Sequence, residues 1–266
     1  MPRRVITNPG HGKPALSRSF TYSALTLRVK PSGESNREAW FLTAEEGLLR
    51  ATVFGGPKSR LRSLVAPFHE GTLWIYHDPV RDSRKVNDFD VQSYRPGIRE
   101  LWERAVIAGA VAETILASHG GGGGWSEATD LAGSVLDALD CADAAACSPI
   151  GIYFLWRWAG LLGVRPDLFV CASCSREVRR DETLWYSPGK EALFCEKCVR
   201  NETSADAAAV FRLGPAARLW LNSVETLPPA TLQSFADTLS LDQTRALTKA
   251  VLAGTLGRRL STWDGI

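Results

Sequence analysis

The sequence has little of what most enzymes rely on. Its 266 residues include four histidines, His11, His69, His77 and His119, and none falls in a recognisable metal-binding or triad spacing. There is no Gly-rich run ending in Gly-Lys-Ser/Thr, so ATP-driven unwinding or strand exchange is not expected. The acidic residues form no spaced carboxylate set of the kind two-metal nucleases use. No apolar run approaches the roughly 20 residues a membrane-spanning helix needs, and no apolar segment follows Arg3 and Arg4 as in a signal peptide. A soluble cytoplasmic protein that binds, rather than one that catalyses, is the expectation. Cysteine is also scarce: six residues are too few for a disulfide framework in a chain of this length.

What is present describes an ordinary globular chain, 45% hydrophobic and 23% charged, long enough for two domains. The net charge of +2 conceals an imbalance. Residues 1 to 62 hold eleven basic side chains against four acidic ones, a local +7 that leaves −5 for the remainder. A basic first part joined to a mildly acidic body suggests a polyanion partner at one end, although a merely solvated basic surface would look the same.

Residues 1–17, rich in Pro, Gly, Lys and Arg and without apolar period, read as a flexible basic tail. From Phe20 the period is two: Leu25, Leu27 and Val29 point one way and Ala24, Thr26, Arg28 and Lys30 the other, a strand with one wet face. Further strands are expected over 37–43, 48–54, 73–76 and 86–91, with a turn at Glu45-Glu46-Gly47 and a break at Gly55-Gly56-Pro57. Five short strands in about 75 residues fit a small barrel such as the OB-fold, over residues 18–94.

After Pro96 the spacing becomes helical, with Ile98, Leu101, Trp102, Ala105, Ala108, Ala112 and Ile115 on one stripe meant for burial. Gly120 to Gly124 cannot continue a helix and read as a hinge or loose connector. A helix follows over 125–139. The next has Ser148 as N-cap, Pro149 at its first position and Gly163 past its end, and its apolar sequence belongs at the centre of a bundle. Gly214-Pro215 opens another helix, and Ser240 with Gln243 suggests a capping box for a last one ending near Gly257. The fold class is therefore α+β: an N-terminal OB-fold barrel, then an α-helical domain over residues 95–266 with a cysteine module at about 168–202.

That module holds Cys171-x2-Cys174, twenty residues, then Cys195-x2-Cys198. Each pair sets two thiolates on one tight turn, and two such turns close a tetrahedron around Zn2+. Four sulfurs leave no open position, so such a site is structural. It would order loops whose own core, Trp185, Tyr186 and Phe194, is thin. A redox dithiol does not explain the second pair, and two disulfides need an oxidising compartment; iron suits the same four sulfurs. Cys141 and Cys147 are expected to pack as small buried hydrophobes.

Several segments resemble the bacterial RecO family of DNA repair proteins: ALTLRVKPSGESN, LTAEEGLLRATVFGG and PKSRLRSLVAPF in the barrel, FLWRWAGLLGVRPDL before CASC, and the closing GRRLST. The likeness spans about residues 18 to 262. It implies a recombination mediator that binds single- and double-stranded DNA and anneals complementary strands. With RecR, such proteins help load RecA onto DNA coated by single-stranded-DNA-binding protein, whose acidic C-terminal tail they contact; nucleoid association would follow. Candidate DNA-binding residues are Arg28, Lys30, Arg37, Arg50, Lys58, Arg60 and Arg62, with Lys58, Arg60 and Arg62 on a basic loop. Trp40 and Phe54 would offer stacking faces if exposed, although barrel core is the simpler place for both. The alternative is a zinc-ribbon and OB-fold module that binds RNA or protein in a transcription or translation complex.

Overall fold

The computed structural model describes residues 18–56, 58–201, 210–234 and 238–266; the basic segment 1–17 and Pro57 lie outside the described residues, and β-structure stops before Gly55 and Gly56 as expected. The first strands are β1 (Ser19–Ser32), β2 (Asn36–Thr43) and β3 (Gly47–Val53). A one-turn helix α1 (Arg60–Leu64) precedes β4 (Glu70–Asp78) and β5 (Ser83–Ser93). They close a five-stranded barrel in the order β1-β2-β3-β5-β4, antiparallel except where β3 meets β5. This is the OB-like barrel that the strand pattern anticipates. Tyr22, Ala39, Phe41, Leu49, Leu73 and Phe89 fill its interior, with Phe41 and Phe89 edge to face at 6.1 Å.

β1 is buried on both sides in its middle, so the single wet face expected from its alternation is not what forms. Tyr22 and Ala24 point into the barrel, while Leu25 and Leu27 join the helical core together with Leu42 of β2. Alternation alone cannot reveal this, because it identifies two faces without saying what covers the second. A register shift between Thr26 and Arg28 then switches the faces, and Val29 packs on the barrel interior.

The helical part comprises α2 (Trp102–Ala117), α3 (Trp125–Cys141), α4 (Ala144–Leu161), α5 (Glu196–Asn201), α6 (Pro215–Ser223) and α7 (Thr238–Leu256). α4 runs through the core with Phe154, Trp156 and Trp158 fully buried. It begins a turn earlier than Ser148 and Pro149 suggest. Asp143 accepts a hydrogen bond from the Ala146 amide at 2.8 Å, and Pro149 lies inside the helix. The carbonyl that loses its partner there belongs to exposed Ala145, where water can replace it. Ser240 lies buried within α7, and the Gln243 Oε1 accepts from the Gly214 amide at 2.7 Å, so the two do not form a capping box. Trp102 opens α2 but is 77% exposed rather than buried, and Cys141 is exposed while Cys147 is buried.

Gly120 to Gly124 connect α2 and α3, as expected, but the connection is packed at its first residue and exposed over Gly122 to Gly124. Gly120 is buried at φ +82°, and a Cβ there would come within 3.0 Å of Leu48. Gly47 repeats the device from the other side: φ is +72°, and a Cβ would meet the Trp125 indole at 2.7 Å. Further along α3 the joint is made by Arg95, 4% exposed. It donates to Glu70 of β4 at 2.5 Å, to Asp137 of α3 at 2.6 Å and to the Phe68 carbonyl at 2.9 Å. Barrel and helices thus share apolar, backbone and ionic contacts.

Candidate metal centre and nucleic-acid interface

The cysteine module stands between α4 and α6. Val170 bridges Glu177 and starts a tight turn in which the Cys171 amide donates to the Arg176 carbonyl and the Ser175 amide to the Cys171 carbonyl. Ser175 takes φ +56°, which brings Cys171 and Cys174 to one side. The second pair sits where β7 (Ala192–Cys195) runs into α5. β7 pairs with β6 (Leu184–Ser187), and β8 (Phe211–Leu213) completes a three-stranded sheet that the sequence reading did not anticipate. The Ala172 amide donates to the Leu193 carbonyl at 2.9 Å, and the Cys195 amide to the Cys171 sulfur at 3.3 Å, joining the two turns.

All four cysteine sulfurs lie within 4.8 Å of one another. A tetrahedral ion with metal–sulfur bonds of about 2.3 Å needs sulfurs about 3.8 Å apart, so the residues fit a closed four-thiolate site. The electrostatics agree. Burial pushes the Cys171 thiol up, but amides of Cys174, Cys195 and Ser173 outweigh it and bring it down to about 6. Burial likewise opposes Cys195, which the Cys198 amide and Arg176 hold below the usual thiol range. The neighbouring Cys195 pushes Cys198 up to about 12, as expected where sulfurs crowd without a cation between them. A divalent ion removes that conflict.

Two arginines frame the module, and neither was singled out from sequence. Arg176 grips Glu182 through its Nη1 and Nη2 at 3.2 and 2.5 Å. Arg218 of α6, 2% exposed, donates to the carbonyls of Leu168, Arg179 and Glu182 at 3.0, 2.9 and 2.7 Å. Its guanidinium therefore pins both ends of the first cysteine turn. A helix reading PAARLWLNS gives no hint that its arginine faces inward, since the carbonyls it meets come from a segment thirty-six to fifty residues earlier.

The candidate cations fall into separate groups. Arg28, Trp40 and Arg50 are direct neighbours across β1, β2 and β3, and Lys30 pairs with Glu38 in the next row. Arg50 is held by Glu38 at 2.5 Å, whereas Arg28 and Lys30 have no carboxylate partner among the described residues. Arg37 turns away, donating to the Arg62 and Val65 carbonyls at 2.6 and 3.2 Å; burial and Arg62 hold it below the usual guanidinium range. Lys58, Arg60 and Arg62 are exposed on and before α1, where the chain forms a helical turn rather than a loop, and Arg60 clasps Asp88. Trp40 and Phe54 are not core: Phe54 is 47% exposed beneath Lys85, and Trp40 belongs to neither apolar cluster.

Comparison with known proteins places this geometry. Residues 17–94 match the family model described as Recombination protein O N terminal, and residues 99–260 match Recombination protein O C terminal. The chain is 25% identical over 253 residues to a DNA repair protein RecO from Anaeromyxobacter sp. (strain Fw109-5), covering 90% of this chain and 92% of that one. It is 24% identical over 234 residues to a DNA repair protein RecO from Synechococcus sp. (strain JA-3-3Ab), covering 82% and 73%.

Proposed function

The chain belongs to the RecO family of recombination proteins, and from that premise we propose that it is a non-catalytic DNA repair mediator. On this reading it binds single- and double-stranded DNA and anneals complementary strands. With RecR it helps load RecA onto DNA coated by single-stranded-DNA-binding protein, in contact with that protein's C-terminal tail, in the bacterial cytoplasm at the nucleoid. The observation that carries the reading is the succession of both family models along nearly the whole chain.

A polyanion binds through cations not already neutralised, and Arg28, Lys30, Lys58 and Arg62 have no ion pair among the described residues. Arg50 and Arg60 are exposed but each pairs with a carboxylate, and Arg37 is occupied by the Arg62 and Val65 carbonyls. The cysteines Cys171, Cys174, Cys195 and Cys198 hold one Zn2+ in this reading. With four thiolates the ion is closed to substrate and serves to fix the module.

Annealing of complementary oligonucleotides precoated with single-stranded-DNA-binding protein tests the proposal. Annealing is expected with the intact coating protein and is lost when its C-terminal tail is removed. Tight binding of structured RNA without any annealing would instead favour the RNA- or protein-binding module.

A further inference from the structure

The outer face of the barrel changes character along its strands. Leu25, Leu42 and Leu48 are paired neighbours that lie under the helices. One row further the same face presents Arg28, Trp40 and Arg50. The register shift after Thr26 is what keeps Arg28 on this side.

Three cations converge on the Trp40 ring. The Arg28 guanidinium carbon lies 4.5 Å from its centroid, that of Arg50 5.7 Å, and the Lys30 ammonium 5.9 Å. An indole face attracts a cation, but three positive groups around one ring also repel each other. Glu38 answers only Arg50. The Arg28 Nε is shielded from water and has no hydrogen-bond partner. A half-buried aromatic outside both apolar cores, ringed by cations of which two lack a counter-ion, is suited to a ligand that brings a flat ring and negative charge together.

We propose that Trp40, with Arg28, Lys30 and Arg50, seats one unpaired base of a DNA strand. The base stacks on the Trp40 indole, and the flanking phosphates meet Arg28 and Lys30. This rests on the DNA-binding reading above and adds a preference to it. In a duplex both faces of each base are already covered, so the seat selects single strands. Every base offers a π-face, so it does not select sequence.

The test compares oligothymidylate with an abasic strand of equal length, which keeps the phosphates and removes the bases, using the full chain. The wild-type protein is expected to bind oligothymidylate about five- to a hundredfold more tightly than the abasic strand. Trp40→Leu binds both equally, at the wild-type abasic affinity, and Trp40→Phe keeps most of the preference. Arg28→Ala weakens both strands while retaining the base preference, which guards against a Trp40→Leu protein that fails to fold. Trp40→Leu that keeps the preference, or that loses affinity for both strands alike, overturns the seat while leaving DNA binding through other cations intact. Tighter binding of oligouridylate than of oligothymidylate also overturns it, and a wild-type protein that binds no DNA overturns the DNA reading as well.

Discussion

Arg28 and Arg50 flank the same indole, yet only Arg50 has a carboxylate beside it. The difference makes their contributions separable. Replacing Arg28 and Lys30 together by glutamine is expected to lower single-strand affinity and to reduce the slope of log affinity against log salt by about 1.4, two phosphate contacts' worth. Glu38→Gln acts in the opposite sense, because it frees Arg50 for phosphate. Titrations of a fluorescent oligonucleotide at several salt concentrations measure both. A slope unchanged by the double variant would remove Arg28 and Lys30 from the interface and leave Lys58 and Arg62 as its cations. Such pairings are invisible in sequence: Glu38 lies twelve residues from Arg50 and reaches it only because β2 and β3 pair in one register.

At the level of the element, the cysteine module shows both what spacing reveals and what it hides. Two C-x-x-C pairs announce four sulfurs at one point, and the sulfurs do meet. Neither β8 nor Arg218 was legible, because a three-residue strand has no period to detect and a buried arginine in a helix resembles a surface one. The thiol acidities carry a prediction. Near neutral pH Cys171, brought down to about 6, is already a thiolate, whereas Cys198, pushed up to about 12, keeps its proton. A bound ion must displace that proton, so metal affinity rises with pH by at least about tenfold per unit. Below about pH 6 the rise becomes steeper, as Cys171 also has to be deprotonated. Competition with a chromogenic chelator at a series of pH values checks the sign, together with a stoichiometry of one metal per chain. The same experiment in Cys171→Ser should show the metal released at far lower chelator concentration. Helix ends were less legible than helix existence: Ser148-Pro149 is a plausible start on its face, but Asp143 offers a cap one turn earlier.

For the whole molecule, the succession of a barrel and a helical body was readable from the change of period near Pro96, but the way they join was not. The joint depends on residues far apart in sequence. Leu25, Leu27 and Leu42 complete the helical core, two glycines permit close backbone approach, and Arg95 ties Glu70 to Asp137. The Arg95 side chain is 3% exposed, while Glu70 and Asp137 are 25% and 62% exposed, so water still reaches the carboxylates once the arginine is gone. Arg95→Met is therefore expected to lower the free energy of unfolding by about 2–3 kcal/mol, less than the full cost of stranding a buried charge. Urea unfolding measures this. A loss below about 0.5 kcal/mol would mean that the apolar contacts alone hold the joint.

The two-sided burial of β1 has a bearing on how the chain can be made and divided. Synthesis delivers the barrel strands before the helices that cover Leu25, Leu27 and Leu42, so a greasy belt stands open on the nascent barrel until α2 and α3 emerge. Cutting the chain after residue 94 would expose that belt permanently. The barrel closes its own hydrogen-bond ladder but does not own its whole surface, and the molecule is better regarded as one unit with a borrowed seam than as two beads on a string.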